Sequence, residues 1–335
     1  MRLPRRGLMA AGTMATGLPP LLATAPRPAR AQQGDGGLGF PSRNLRWIVP
    51  FPPGGASDAL VRVIATPLGV ELGRPVVVEN RGGAGTTLGT AEALRAPPDG
   101  HTLLLAALPF VINQFAMPSL PYDPERDFTP VGLLATAAVV LVARPGLARD
   151  WAGVVAAARA RPGALTYASA GNGSLPHVAF EQLKLRSGLD ILHVPYRGGG
   201  PAVIDLVAGR VDLMLASPVE VVGQVQAGQL VPIASASARR IALWPELPTL
   251  QEAGVPEMDV NGWFGVVAAT ATPEPALARL NAALRAVLEQ PEVRGRIAEL
   301  GAVAAPGPRE AYAAMLAAER RRWAETVRAA RIRIE

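Results

Sequence analysis

The chain offers little for side-chain chemistry. It has no cysteine, three histidines and one lysine, Lys184. Without thiols there is no disulfide, cysteine nucleophile or thiolate metal site. His101, His177 and His193 stand at no metal-ligand spacing, so neither metal nor cofactor is expected. No serine sits in a G-x-S-x-G elbow, and no Gly-rich phosphate loop ends in Gly-Lys-Ser or Gly-Lys-Thr. Gly82-Gly83-Ala84-Gly85 lacks the dinucleotide-binding spacing. Ser174 and His177 are three residues apart, a spacing that suits a helix cap better than a nucleophile and its base. A secreted enzyme built on this chain would have to move protons through Asp58 or His177.

Backbone chemistry is better represented. In Arg46-Trp47-Ile48-Val49-Pro50-Phe51-Pro52-Pro53-Gly54-Gly55-Ala56-Ser57-Asp58 an apolar strand is stopped by prolines, which cannot donate to a sheet ladder. Gly-Gly allows a tight turn, and Ser57 or Asp58 can cap the helix that follows. The free N–H groups at the start of that helix form a seat for an anion; the same residues also fit a purely structural turn. Tyr167-Ala168-Ser169-Ala170-Gly171-Asn172-Gly173-Ser174-Leu175-Pro176-His177 repeats the design. Two such loops facing each other across a cleft would hold a carboxylate by charge-assisted hydrogen bonds. Arg197 is a possible additional contact, or a surface residue near a hinge. Asp58 is either a partner for an ammonium or hydroxyl group, or a first-turn acid meeting the helix dipole.

These loops need strands and helices in alternation. Short apolar runs at 46–50, 75–79, 101–106, 165–169, 191–194, 211–215 and 230–234 alternate with helical segments, which predicts α/β architecture with parallel sheets. Pro67 should kink or split the first helix. Residues 109–130 read as irregular, 139–143 as a strand opening a second unit, and 239–262 as a crossing segment. A strand at 263–268 and helices at 273–288, 292–300 and 308–329 follow. The expected division is a first lobe of residues 40–138 plus 255–335 and a second lobe of 139–254.

Arg2, Arg5 and Arg6, an apolar run from Gly7 to Ala25 and the small-x-small signal Ala29-Arg30-Ala31 predict an export leader over 1–31 that is cleaved. Arg5-Arg6 resembles a twin-arginine signal, and general secretory leaders also carry such pairs. The chain has 33 basic and 27 acidic residues. Five arginines and no acid fall in 1–31, so the remainder carries 28 against 27, a charge of +1. That near balance gives no case for nucleic-acid binding.

The motifs Ile48 to Asp58, Val76-Val77-Val78-Glu79-Asn80-Arg81, Leu120-Pro121-Tyr122-Asp123-Pro124, Tyr167 to Ser174, His193-Val194-Pro195-Tyr196-Arg197-Gly198 and Leu247-Pro248-Thr249 together resemble one family. It is the Bug, or TctC-like, group of extracytoplasmic solute receptors of tripartite tricarboxylate transporters. The resemblance implies a type II periplasmic binding protein, two α/β lobes each with a mostly parallel sheet, closing on a ligand like a flytrap without catalysis. It implies contacts from Phe51, Pro53, Gly54, Gly55, Ala56, Ser57 and Asp58 in the first lobe. In the second they are Ser169, Gly171, Asn172, Ser174 and His177, with Ser217 at another strand end. The implied ligand is a small organic carboxylate: a di- or tricarboxylate, an acidic amino acid or an aromatic acid. The implied partners are membrane transporter subunits or a sensor kinase, and the implied form is a periplasmic monomer. Gly82 replaces a common proline of the family and Asn113-Gln114 a common Asn-Pro.

Overall fold

The computed structural model describes residues 39–334; the expected leader lies outside them. β1 (Leu45–Val49) enters α1 (Ala56–Leu72), followed by β2 (Val76–Asn80), a single 3-10 turn at Ala84–Thr86, α2 (Thr87–Arg95) and β3 (Thr102–Ala106). Then come α3 (Leu108–Ala116), β4 (Phe128–Ala138), β5 (Val140–Ala143), α4 (Trp151–Ala160) and β6 (Thr166–Ser169). α5 (Leu175–Ser187), β7 (Leu192–Pro195), α6 (Gly199–Val207), β8 (Leu213–Ala216), α7 (Pro218–Gln226) and β9 (Val231–Ser235) complete the middle of the chain. β10 (Asn261–Ala269), α8 (Glu274–Glu289), α9 (Pro291–Glu299), β11 (Val303–Ala304) and α10 (Arg309–Ala329) close it.

The strands form two sheets, ordered β11-β4-β10-β3-β1-β2 and β7-β6-β8-β5-β9. Both are mixed. β1 pairs parallel with β2 and β3, and β6 parallel with β7 and β8. The antiparallel pairings come from β10, β4, β11, β5 and β9. The alternating strand–helix units supply the parallel part, because a parallel neighbour needs a helical crossover. Of the antiparallel strands, β4 runs on directly into β5 from one sheet to the other, and no sequence period marks that. β1 is apolar apart from Arg46, which pairs with Glu79 and Glu92; both faces are covered, and Leu45, Trp47, Ile48 and Val49 are all fully buried.

Three departures from the sequence expectation have local causes. α1 is continuous through Pro67. Leu60, Ile64 and Leu68, on both sides of the proline, are buried in one core with Leu277, Leu280 and Leu284 of α8, and this packing offsets the lost backbone bond. Residues 109–116, expected to be irregular, fall in α3, whose Pro109 occupies a first-turn position where no N–H is required. Residues 128–138 form β4 despite Pro130, which pairs with Val267 beside a register shift in β10, a place where a sheet tolerates a missing donor.

The two sheets are joined at a narrow waist. Only Val139 separates β4, in the first sheet, from β5, in the second. The Val139 carbonyl accepts the Ala236 N–H at 2.8 Å, and the Ala236 carbonyl accepts the Val260 N–H at 2.7 Å. All three residues are buried. α10 fastens the first sheet from behind: the indole N–H groups of Trp263 on β10 and Trp323 on α10 both donate to Glu319 Oε2, at 2.9 and 2.8 Å. Among the described residues no helix is long and apolar enough to cross a membrane.

Candidate functional site

A cavity of about 450 Å³ opens between elements of the two sheets. Its first-sheet wall carries Phe51, Ser57, Thr86, Asn113 and Phe264, and its second-sheet wall Asn172 and Ser174. The lining includes residues at the starts of four helices: Ser57 of α1, Thr86 before α2, Leu108 of α3, and Ser174 with Leu175 at α5. The first N–H groups of a helix have no intrahelical acceptor and stand at its positive end. Among the described residues no Lys, Arg, Asp or Glu lines this cavity. Its polarity toward an anion is therefore set by backbone dipoles, with the hydroxyls of Ser57 and Thr86 and the amides of Asn113 and Asn172.

The loop before α1 is held by its own acid. Asp58 is buried, with 5% of its surface exposed. Its Oδ2 accepts the Gly54 N–H at 2.9 Å and its Oδ1 accepts Arg62 Nε at 2.9 Å. The Arg62 hydrogen bond, helped by the Gly54 N–H, holds the carboxyl below the usual aspartate range. Asn80 Nδ2 donates to the Phe51 carbonyl at 3.2 Å and ties β2 to the same loop. The N-cap of α1 is Gly55, with no side-chain cap, so Asp58 works from the first turn backward. Pro53, Gly54, Gly55 and Ala56 are exposed.

The loop before α5 is held by neutral rings. Gly173 N–H donates to His177 Nδ1 at 3.1 Å, which requires an unprotonated nitrogen there. His177 stacks on His193 with ring centroids 4.1 Å apart, and His193 stacks on Tyr167 at 4.8 Å. Ser169 Oγ lies 2.7 Å from His193 Nε2 and accepts the Gly171 N–H at 3.1 Å. Ser174 Oγ donates to the Gly171 carbonyl at 2.7 Å. Burial pushes both imidazoles down, His193 to about 4, where the neighbouring His177 adds to the shift.

Of the residues singled out in the sequence, Phe51, Ser57, Asn172 and Ser174 line this cavity. Ala56 and Ser217 line a smaller chamber beside it. Ser169, Gly171, His177 and Asp58 shape the loops from behind, with their polar groups engaged as described. Arg197 is exposed, on the turn after β7. Asp58 and His177, the two groups an enzyme would need, are each spent on a backbone N–H of their own loop. The sequence reading missed Asn113, Trp263, Phe264 and Ile334, which also line the cavity. Pro109 opening an apolar run was the one available signal for α3 and hence for Asn113. Ile334 follows α10, packs on Gly173 and bonds its N–H to the Ala116 carbonyl at 2.9 Å, contacts that no local pattern announces.

Residues 60–332 match the family model described as "Tripartite tricarboxylate transporter family receptor". The chain is 36% identical to Protein BugT of Bordetella pertussis, over 86% of this chain and 90% of that one. Among solved structures it is similar to R. palustris Rpa4515 with adipate, with a TM-score of 0.77 and 31% identity over 88% and 99% of the two chains. It is likewise similar to MatC (Rpa3494) from Rhodopseudomonas palustris with bound malate, with a TM-score of 0.73 and 35% identity over 86% and 100%. With its two-lobed α/β fold and an interlobe cavity walled by helix N-termini, the chain belongs to the tripartite tricarboxylate transporter receptor family, the Bug or TctC-like periplasmic solute-binding proteins.

Proposed function

We propose that this protein is a periplasmic receptor that reversibly binds a small organic carboxylate between its lobes. The carrying observation is the convergence of four helix starts, from both lobes, on one cavity that no charged side chain among the described residues lines. A carboxylate entering it exchanges water for N–H and hydroxyl donors, which favours one anionic group without a buried counter-charge. The solved relatives are described with adipate and with malate, which supports the ligand class.

The contact set is Phe51, Ser57, Asn172 and Ser174, backed by Pro53, Gly54, Gly55, Ala56 and Asp58 in one loop and by Ser169, Gly171 and His177 in the other. Ser217 borders the adjoining chamber, and Arg197 stands at the outer edge. The first lobe comprises residues 40–138 and 255–335, the second 139–254. Closure turns about Val139, Ala236 and Val260, and the ligand biases it only by its differential affinity for the closed state. The occupied receptor, a monomer, then docks on membrane transporter subunits or a sensor kinase.

A thermal-shift series with malate, citrate, adipate, glutamate, benzoate and hexanoate tests the reading. At least one carboxylate should raise the unfolding midpoint in a concentration-dependent way. A folded protein whose midpoint none of them moves would overturn it.

A further inference from the structure

Two contacts bridge the lobes beside the cavity, and each seats an aliphatic side chain of one lobe on a bare glycine of the other. Val219, in the first turn of α7 on the second-sheet side, lies against Gly301, between α9 and β11 on the first-sheet side. A Cβ on Gly301 would overlap Val219 Cγ2 and lie 3.0 Å from Val219 Cβ. In the reverse sense, Ile334 follows α10 in the first lobe, bonds its N–H to the last residue of α3 and lies against Gly173 in the loop before α5. A Cβ on Gly173 would overlap Ile334 Cδ1. The first contact borders the smaller chamber, which Ser217, Leu300 and Ala302 help to line; the second borders the larger cavity.

Both glycines have a local reason to be there. Gly301 has φ +73° and ends α9, its N–H on the Ala298 carbonyl at 2.8 Å, and Gly173 has φ +76°. The left-handed turn excludes a side chain, and the bared backbone then admits a methyl group to contact distance. Val219 has no such local role. It is 46% exposed and belongs to no apolar core among the described residues. α7 is anchored instead by Val221, which is fully buried, and its start is fixed by Pro218 and by Glu220, whose carboxylate accepts the Ser217 N–H at 3.1 Å. Val219 lines neither chamber. Its packing is made with the other lobe.

We infer that Val219 and Ile334 are positioning residues that clasp the lobes together, and that Val219 sets ligand affinity without touching the ligand. The inference rests on the receptor reading above and adds the residues that govern its closure. A ligand held from both lobes needs the closed form, so its apparent affinity scales with the closed fraction. Each clasp, half in water, is worth about one buried methylene, roughly fourfold in the ratio of closed to open chains. The two stand at different chambers and should multiply, to about sixteenfold.

Small-angle X-ray scattering of the ligand-free chain and of Val219→Ala, Ile334→Ala and the double variant tests this, with circular dichroism to show that each is folded. The radius of gyration should be smallest for the native chain and largest for the double variant, and Val219→Ile should keep the native value. In calorimetric titrations with malate and with adipate, affinity should fall by up to about fourfold in each single variant and up to about sixteenfold in the double. Saturating acid should return the double variant to native dimensions. A folded double variant whose ligand-free dimensions equal those of the native chain overturns the inference, whatever its affinity. If neither acid binds, scattering of the ligand-free chains still decides the clasps, and the failure bears on the receptor reading alone. Should the double variant not fold, Val219→Asp takes its place, since an acid in the first turn of α7 suits the helix dipole while opposing contact with Gly301.

Discussion

The two loops that face the cavity share one design in sequence and are held by opposite chemistry. The loop before α1 is stapled by an anion: Asp58 gathers the Gly54 N–H and Arg62. The loop before α5 is stapled by neutral rings: His177 takes the Gly173 N–H, and His193 anchors Ser169. Their surroundings differ in the same sense. Gly54 is exposed, with nothing within 4 Å of a Cβ built on it, whereas a Cβ on Gly173 would lie 2.3 Å from Ile334 Cδ1. One helix-start seat is therefore a surface turn fixed by charge and the other a packed turn fixed by shape. Equivalent backbone chemistry can be presented to one ligand from two supports that fail under different insults.

Matched glycine substitutions give the largest separation. Both residues have positive φ, +82° at Gly54 and +76° at Gly173. Gly54→Ala should cost only the left-handed strain, about 1 kcal/mol. Gly173→Ala adds the overlap with Ile334 and should cost about 2–4 kcal/mol, with ligand affinity lost as well. Urea unfolding of both variants measures this; equal costs would mean that the packed support does not exist.

Next come the staples themselves. Asp58→Ala removes hydrogen bonds to a charged group and should destabilise by about 1.5–3 kcal/mol. His177→Leu removes a neutral one from a buried site and should cost about 1 kcal/mol. Denaturant midpoints of the two variants should keep that order.

Acid should separate the loops without mutation. His193 titrates near 4 when folded against 6.5 as an ordinary histidine. Below pH 6.5 the unfolded chain takes up a proton that the folded chain refuses, so stability is complete above 6.5 and falls progressively toward pH 4. Tyr167, Glu181 and Lys184 share this environment: the Tyr167 hydroxyl and Lys184 both donate to Glu181 Oε1, at 2.7 and 2.8 Å. Asp58, whose folded pKa is depressed, keeps its full contribution down to the ordinary aspartate value of 3.8 and loses it only below that. Thermal midpoints from pH 7.5 to 4 should fall for the native chain and fall less for His193→Gln. Identical slopes would detach the second loop from its histidines.

The smallest effect belongs to Arg62→Ala. Its side chain is 53% exposed and its pair with Asp58 spans one helical turn, so the loss should be about 0.3–0.5 kcal/mol and fade with salt. A larger, salt-independent loss would mark Arg62 as part of the staple proper.

The sequence by itself determined the elements whose causes are local. β1 with its proline stop, the Gly-rich turns at 54–55 and 171–173, α4, α5 and the parallel blocks around β1 and β6 all follow from apolar runs, breakers and alternation over a few residues. The two Gly-rich turns that open α1 and α5 were legible for the same reason. Only the tertiary structure decided where their side chains went. Asp58 and His177, the most reactive residues in the two motifs, turn back to hold their own loops, a choice that depends on Arg62 one turn away and His193 on the next strand. The cavity's aromatic wall at Trp263 and Phe264, its contact with Ile334 and the smaller chamber beside it join residues far apart in the chain. Short-range periodicity carries no record of such pairings; they exist because β4 and β10 run from the first sheet to the waist and bring the ends of one lobe against the loops of the other.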